Sequence, residues 1–253
     1  MGFNHVTPAI VLRSRPYGES DKIVSFLTEN HGKITGIAKG ALRSRRRFAN
    51  SLDPFSLVDL SFQDRPHSSL AFLLAADLKR GFRRLTESLD RISHAAYMVE
   101  ITDGLTGERE ENRPIYHHLK QGLTRLEEDG ASLRLLTFFE LRLLRLAGYQ
   151  PVFDRCRKCA RASVIESRWN FSLADGGVLC DLCARPGEDI LPLGAAAAEV
   201  LRALQEDNPK LAPGLCLRAS VVREIRTVVF RFVQYHVDRE IKSAGFLSSL
   251  LPV

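Results

Sequence analysis

The chain has 253 residues, 45% hydrophobic and 26% charged, with a formal net charge of +6. These proportions leave ample material for a core and argue against global disorder. No run approaches the ~20 consecutive apolar residues of a membrane span. The opening "MGFNHVTPAIVLRSR" lacks the basic start and apolar run of a signal peptide. A cytoplasmic chain with reduced thiols is the expectation. The basic balance permits an acidic partner such as nucleic acid, but the placement of the charges matters more than their sum.

Five short β segments are predicted first: Ala9–Arg13, Lys22–Thr28, Lys33–Lys39, Ser56–Phe62 and Ser69–Ala75. Val58, Leu60 and Phe62 alternate with Leu57, Asp59 and Ser61, the period of a half-buried strand. "PYGESD" and "ENHG" supply turn chemistry between the first three. Closely spaced short strands of this kind suggest a small barrel. From Leu78 the period becomes helical. Ile92, Ala95, Ala96, Val99 and Ile101 form one stripe, and Tyr116, Leu119, Leu123 and Leu126 a second behind Pro114. "SLRLLTFFELRLLRLAGYQP" is apolar around most of its circumference and reads as a central helix ending near Gly148 and Pro151. "WNFSLADGGVLC" reads as a β-hairpin, and "LGAAAAEVLRALQE" as a helix. The last long helix places Val221, Val222, Ile225, Val228, Val229, Phe232, His236 and Ile241 inward. Arg218, Arg223, Arg226 and Arg231 then read as its solvated face.

Cys156, Cys159, Cys180 and Cys183 make a C-x2-C-x20-C-x2-C pattern, at the upper edge of the usual spacing for a four-cysteine zinc site. Each C-x-x-C turn aims two thiolates at one point, and two turns complete a tetrahedron. With four protein ligands no position stays open for water, so such an ion is structural. A redox C-x-x-C would open a helix after a strand, a context neither pair has. Disulfides would need an oxidising compartment. Loss of the metal, with the thiols packed as small apolar groups, is the bland alternative. Cys216 has no partner at metal spacing and reads as a core or surface thiol.

Lys33, Lys39, Arg43, Arg45, Arg46 and Arg47 lie in a stretch with no acidic residue between Glu29 and Asp53. The arginines fall in the long connection between the third and fourth strands. Guanidinium forks suit phosphate oxygens, and a basic loop beside a barrel makes a track for single-stranded nucleic acid. Gly36 and Gly40 would allow close backbone approach, and Phe48, Phe62 and Phe72 would offer stacking faces. The competing reading is a solvated loop over a phenylalanine-filled core. Lys79, Arg80, Arg83 and Arg84 form a secondary basic cluster, either an extension of the track or the end of a helix. No nucleotide-binding, nucleophile-elbow or zincin motif is present, and the histidines are scattered. No catalytic residues are assigned, and no small-molecule substrate is expected.

Three stretches, Tyr17–Arg47, Phe138–Cys159 and Arg231–Leu250, occur in an order and spacing that resemble the bacterial recombination-mediator family RecO nearly end to end. The resemblance implies an α+β architecture. A five-stranded OB-fold barrel over residues 1–78 would precede an α-helical domain over 79–151 and 191–253. A four-cysteine zinc-binding insertion would occupy 152–190. It also implies binding of single- and double-stranded DNA and annealing of complementary strands. RecA would be loaded together with RecR onto DNA coated by single-strand-binding protein, whose acidic C-terminal tail is a further partner. The expected site is cytoplasmic and nucleoid-associated. DNA contact carries over to Lys33, Lys39, Arg43, Arg45, Arg46 and Arg47. The alternative is a zinc-stabilised interaction module that binds acidic protein tails rather than DNA.

Overall fold

A computed structural model describes residues 4–65, 67–162, 169–185, 189–206 and 218–250. The chain separates into two compact units, Met1–Ala131 with Ser243–Leu250, and Ser132–Lys242. The expected cut at residue 78 does not coincide with this division, because the first two long helices pack with the barrel.

The first unit begins with strands β1 (Asn4–Tyr17), β2 (Asp21–Thr28), β3 (Lys33–Ala38), β4 (Leu57–Gln63) and β5 (Ala71–Arg80). They close into a barrel in the order β1-β2-β3-β5-β4, the order of an OB-fold. All neighbours are antiparallel except β3 and β5, which meet in parallel at Gly36–Ala71 and Ile37–Phe72. A Cβ at position 36 would stand 2.5 Å from a Leu73 methyl and 2.9 Å from the Ala71 carbonyl. Gly36 therefore serves barrel closure, not approach to a ligand. Ala9, Val11, Val24, Phe26, Ile34, Val58, Leu60, Phe62 and Leu73 fill the interior. β1 is longer than expected because a register shift between Val11 and Arg13 lets pairing continue through Pro16.

Helices α1 (Leu89–Gly104) and α2 (Arg113–Asp129) follow. Ser88 and Asn112 cap them by accepting the backbone N–H groups of Arg91 and Ile115. Both expected apolar stripes face inward, with Ala95, Val99, Ile101, Tyr116, Leu119, Leu123 and Leu126 buried. A short helix α6 (Ala244–Leu250) returns to this unit, where Glu100 accepts hydrogen bonds from the Ser243 N–H and Oγ.

The second unit holds α3 (Leu133–Leu146), a three-stranded sheet of β6 (Trp169–Ser172), β7 (Gly177–Leu179) and β8 (Ile190–Leu193), and helices α4 (Ala195–Gln205) and α5 (Ala219–His236). The sheet order is β7-β6-β8, so the expected hairpin gains a third strand. Leu136, Phe139, Leu143, Leu144, Leu201, Ile225, Val228, Val229 and Phe232 form its core. Arg226 is not on a solvated face. Its guanidinium makes two hydrogen bonds, 2.5 and 3.2 Å, to the carboxylate of fully buried Glu140. No helix among the described residues is long and apolar enough to cross a membrane.

Candidate nucleic-acid interface and metal centre

The segment after β3 leaves the barrel as a tight turn and is fastened to the first unit at several points. Gly40 has a φ of +66°, which suits glycine. Its N–H donates to Asp21 Oδ1 over 2.8 Å, and the Lys39 ammonium lies 2.5 Å from Asp21 Oδ2. The Lys39 hydrogen bond, aided by the Gly40 N–H, holds the Asp21 carboxyl below its ordinary range. Leu42 N–H donates to the Ser20 carbonyl over 2.9 Å. Further on, Arg47 donates to the Lys39 carbonyl over 2.7 Å and accepts from Ala76 N–H over 2.8 Å. Ala41, Phe48 and Leu52 pack into the barrel core. The backbone is thereby fixed while Arg43, Arg45, Arg46 and Arg47 are exposed. None of the four guanidinium groups has a carboxylate partner among the described residues.

The four paired cysteines converge in the second unit. Each pair sits on a tight turn: Ala160 N–H donates to the Cys156 carbonyl, and Cys183 and Ala184 N–H donate to the Cys180 carbonyl. The sheet brings the turns together through Arg157 N–H to the Val178 carbonyl at 2.9 Å. The four Sγ atoms lie within 4.8 Å of one another, and Cys159 Sγ is 3.7 Å from Cys180 Sγ. A tetrahedral ion with thiolate bonds of about 2.3 Å requires sulfur separations of about 3.8 Å, so the set fits a metal. Cys156 and Cys180 are buried, and Cys159 is exposed. Burial raises the Cys156 thiol, but the N–H groups of Cys180, Cys159 and Lys158 outweigh it and bring the pKa down to about 6. Hydrogen bonding with Cys180 and Cys159 pushes Cys183 up to about 12. Thiol ligands bind a metal as thiolates, so metal binding at this set would release protons.

A pocket of about 270 Å³ lies between α3 and α4 in the second unit. Phe138, Leu141, Leu146 and Leu204 give it an apolar wall, and Arg142 and Arg145 stand at its edge. Both arginines are exposed, and the Arg142 guanidinium lies 5.9 Å from the Phe138 ring centre. Their separation by three residues puts both on one helix face.

Two family models cover the chain almost completely: Recombination protein O N terminal over residues 1–82, and Recombination protein O C terminal over residues 86–244. The chain belongs to the RecO family. It is 33% identical to "DNA repair protein RecO" of Syntrophus aciditrophicus over 97% of this chain and 96% of that protein. It is 35% identical to the protein of the same name from Anaeromyxobacter dehalogenans, and 36% identical to that of Myxococcus xanthus. In both cases 96% of each chain is covered.

Within this RecO-family chain the expected site residues separate into two groups. Arg43, Arg45, Arg46 and Arg47 share one exposed loop, with Lys39 beside them and partly offset by Asp21. Lys33 does not belong with them. It is buried, its ammonium donates to the Asp103 carbonyl over 2.8 Å, and it lies 3.3 Å from Asp103 Oδ1. Arg13 meets the other oxygen of the same carboxylate at 2.5 Å. Lys33 ties β3 to α1 and is unavailable to a phosphate. In the secondary cluster, Lys79 pairs with Asp59 at 2.7 Å and Arg80 with Glu127 at 2.6 Å, both from β5 rather than a helix end. Arg83 and Arg84 remain exposed. Phe48 and Phe62 are core residues, whereas Phe72 is half-buried with the Arg65 guanidinium 4.7 Å from its ring centre. The α3–α4 pocket was not foreseen. Arg142 and Arg145 at helical spacing beside Phe138 and Leu141 were its only sequence signal, and Leu204 arrives from beyond the cysteine segment. Cys216 lies outside the described residues.

Proposed function

We propose that this chain is a non-enzymatic DNA-repair and recombination mediator of the cytoplasm and nucleoid. It binds single- and double-stranded DNA and anneals complementary strands. With RecR it loads RecA onto DNA coated by single-strand-binding protein. The observation that carries the reading is the loop: four exposed arginines without carboxylate partners among the described residues, on a backbone held to the barrel by Asp21, Ser20 and Ala76. Annealing requires neutralised strand repulsion with base edges left free, which a phosphate-gripping loop supplies without a nucleophile or general base. Lys39, Arg83 and Arg84 extend the same field; Lys33 is excluded.

Cys156, Cys159, Cys180 and Cys183 would hold Zn2+, which the thiolate set favours. The ion would brace the sheet of the second unit and leave no coordination position for a reactant. The acidic tail of single-strand-binding protein finds suitable chemistry in the α3–α4 pocket, where apolar side chains and two exposed guanidinium groups receive an apolar residue and a carboxylate.

Fluorescence polarisation of labelled oligo(dT) against salt tests the reading. Four arginine–phosphate contacts on a single strand give a log–log slope of roughly −3. A flat salt response would overturn it. Retention of an acidic peptide with no retention of any oligonucleotide would favour the interaction-module alternative.

A further inference from the structure

Resting on the nucleic-acid reading above, we infer that Tyr17 is a base-stacking residue that adds a contact to unpaired strands which the arginine loop does not make with duplex. Phosphate contacts alone do not distinguish single strands from duplex in this way, because both present phosphates. A stacking face does, because only an unpaired base can leave its neighbours to meet it. Among the three phenylalanines near the loop, Phe48 and Phe62 are buried, and Phe72 already carries Arg65 on its ring. Tyr17 is different. It is 53% exposed, and its hydroxyl has no hydrogen-bond partner among the described residues.

Its position is fixed by the same contacts that fix the loop. Tyr17 is the last residue of β1 and pairs in register with Asp21, the carboxylate that holds Lys39 and Gly40. Ser20, in the turn between them, accepts Leu42 N–H. The ring therefore rises from a paired strand, behind Pro16, rather than from a mobile tip. The turn that follows is uncrowded: apart from its chain neighbours, a Cβ built at Gly18 would meet nothing within 4 Å. Exposed Arg15 lies two residues back along β1, on the face of Tyr17, and also has no carboxylate partner among the described residues. Leu42, 47% exposed, precedes Arg43 on the tethered turn. An aromatic ring on a rigid strand beside cations fits one occupant: an unpaired base whose phosphates run to the loop.

The test titrates the full-length chain and its variants against three ligands of equal length: oligo(dT), the same strand with abasic sites, and duplex. Tyr17→Ala should bind oligo(dT) roughly five- to tenfold more weakly, the loss of about one stacked base. Its affinity for duplex and for the abasic strand should change less than about twofold, and the oligo(dT) salt slope should stay where it was. Tyr17→Phe should bind like wild type, because it keeps the ring. An equal loss on all three ligands would mean that the substitution disturbs the fold or the loop, and no loss on oligo(dT) would mean that the ring meets no base. Either outcome overturns the inference while leaving the arginine loop standing. Salt-independent or absent binding by wild type would instead remove the DNA reading itself, and this inference with it.

Discussion

The arginine loop and the cysteine segment are both built from four side chains of one kind, and they are opposites. The four thiols point at one another and come within 4.8 Å. The four guanidinium groups point at nothing carboxylic among the described residues; their backbone is tied down, and of the four side chains Arg47 alone is seen to donate, to the Lys39 carbonyl. Convergent side chains serve the fold, because their partner is each other or a shared ion. Unpaired ones on a fixed backbone serve a partner outside the chain. Substitutions in the first class should cost stability and spare DNA binding; those in the second should do the reverse.

The sharpest contrast is Cys180→Ser. Removing a buried thiolate should abolish stoichiometric metal retention, measured by elemental analysis. It should also lower the melting temperature strongly, since structural zinc contributes on the order of 10 kcal/mol. The salt slope for oligo(dT) should remain that of wild type. Arg226→Ala comes next. Arg226 is a cation like those of the loop but is spent internally on Glu140, so its loss should destabilise by about 3–5 kcal/mol in urea unfolding. Lys33→Met is smaller, about 1–3 kcal/mol, because Arg13 still meets Asp103. It is also the more searching case, because Lys33 belongs to the basic stretch by sequence. A loss of salt slope in Lys33→Met would break the division between the two classes.

The smallest effect concerns pH. Asp21 is held below its ordinary value of 3.8, first by Lys39 and then by the Gly40 N–H. A depressed carboxylate contributes stability that is complete above its unfolded pKa, about 3.9, and fades as pH falls through the lower folded value. The melting-temperature difference between wild type and Asp21→Asn should therefore be flat from about pH 5 to 8 and shrink below about pH 4.

Much of this was legible in the residues. The barrel strands announced themselves by alternation, and the cysteine centre by a spacing that keeps each thiol pair on one turn. The fate of individual cations was not. Lys33 and Arg45 look alike in the sequence, and what separates them is Asp103, 70 residues beyond Lys33. Arg226 likewise meets Glu140 across 86 residues. The full reach of β1 was hidden by Pro16, which reads as turn chemistry yet pairs with Lys22, and Tyr17 was read with it. The α3–α4 pocket takes its walls from either side of the cysteine insertion, so no local window contains it.

The most direct test of the central claim is the salt dependence of oligo(dT) affinity for wild type and for the triple variant Arg45→Ala, Arg46→Ala, Arg47→Ala. Three lost phosphate contacts should shrink the log–log slope by about 2 with no change in melting temperature. An unchanged slope would contradict the assignment of these arginines to DNA.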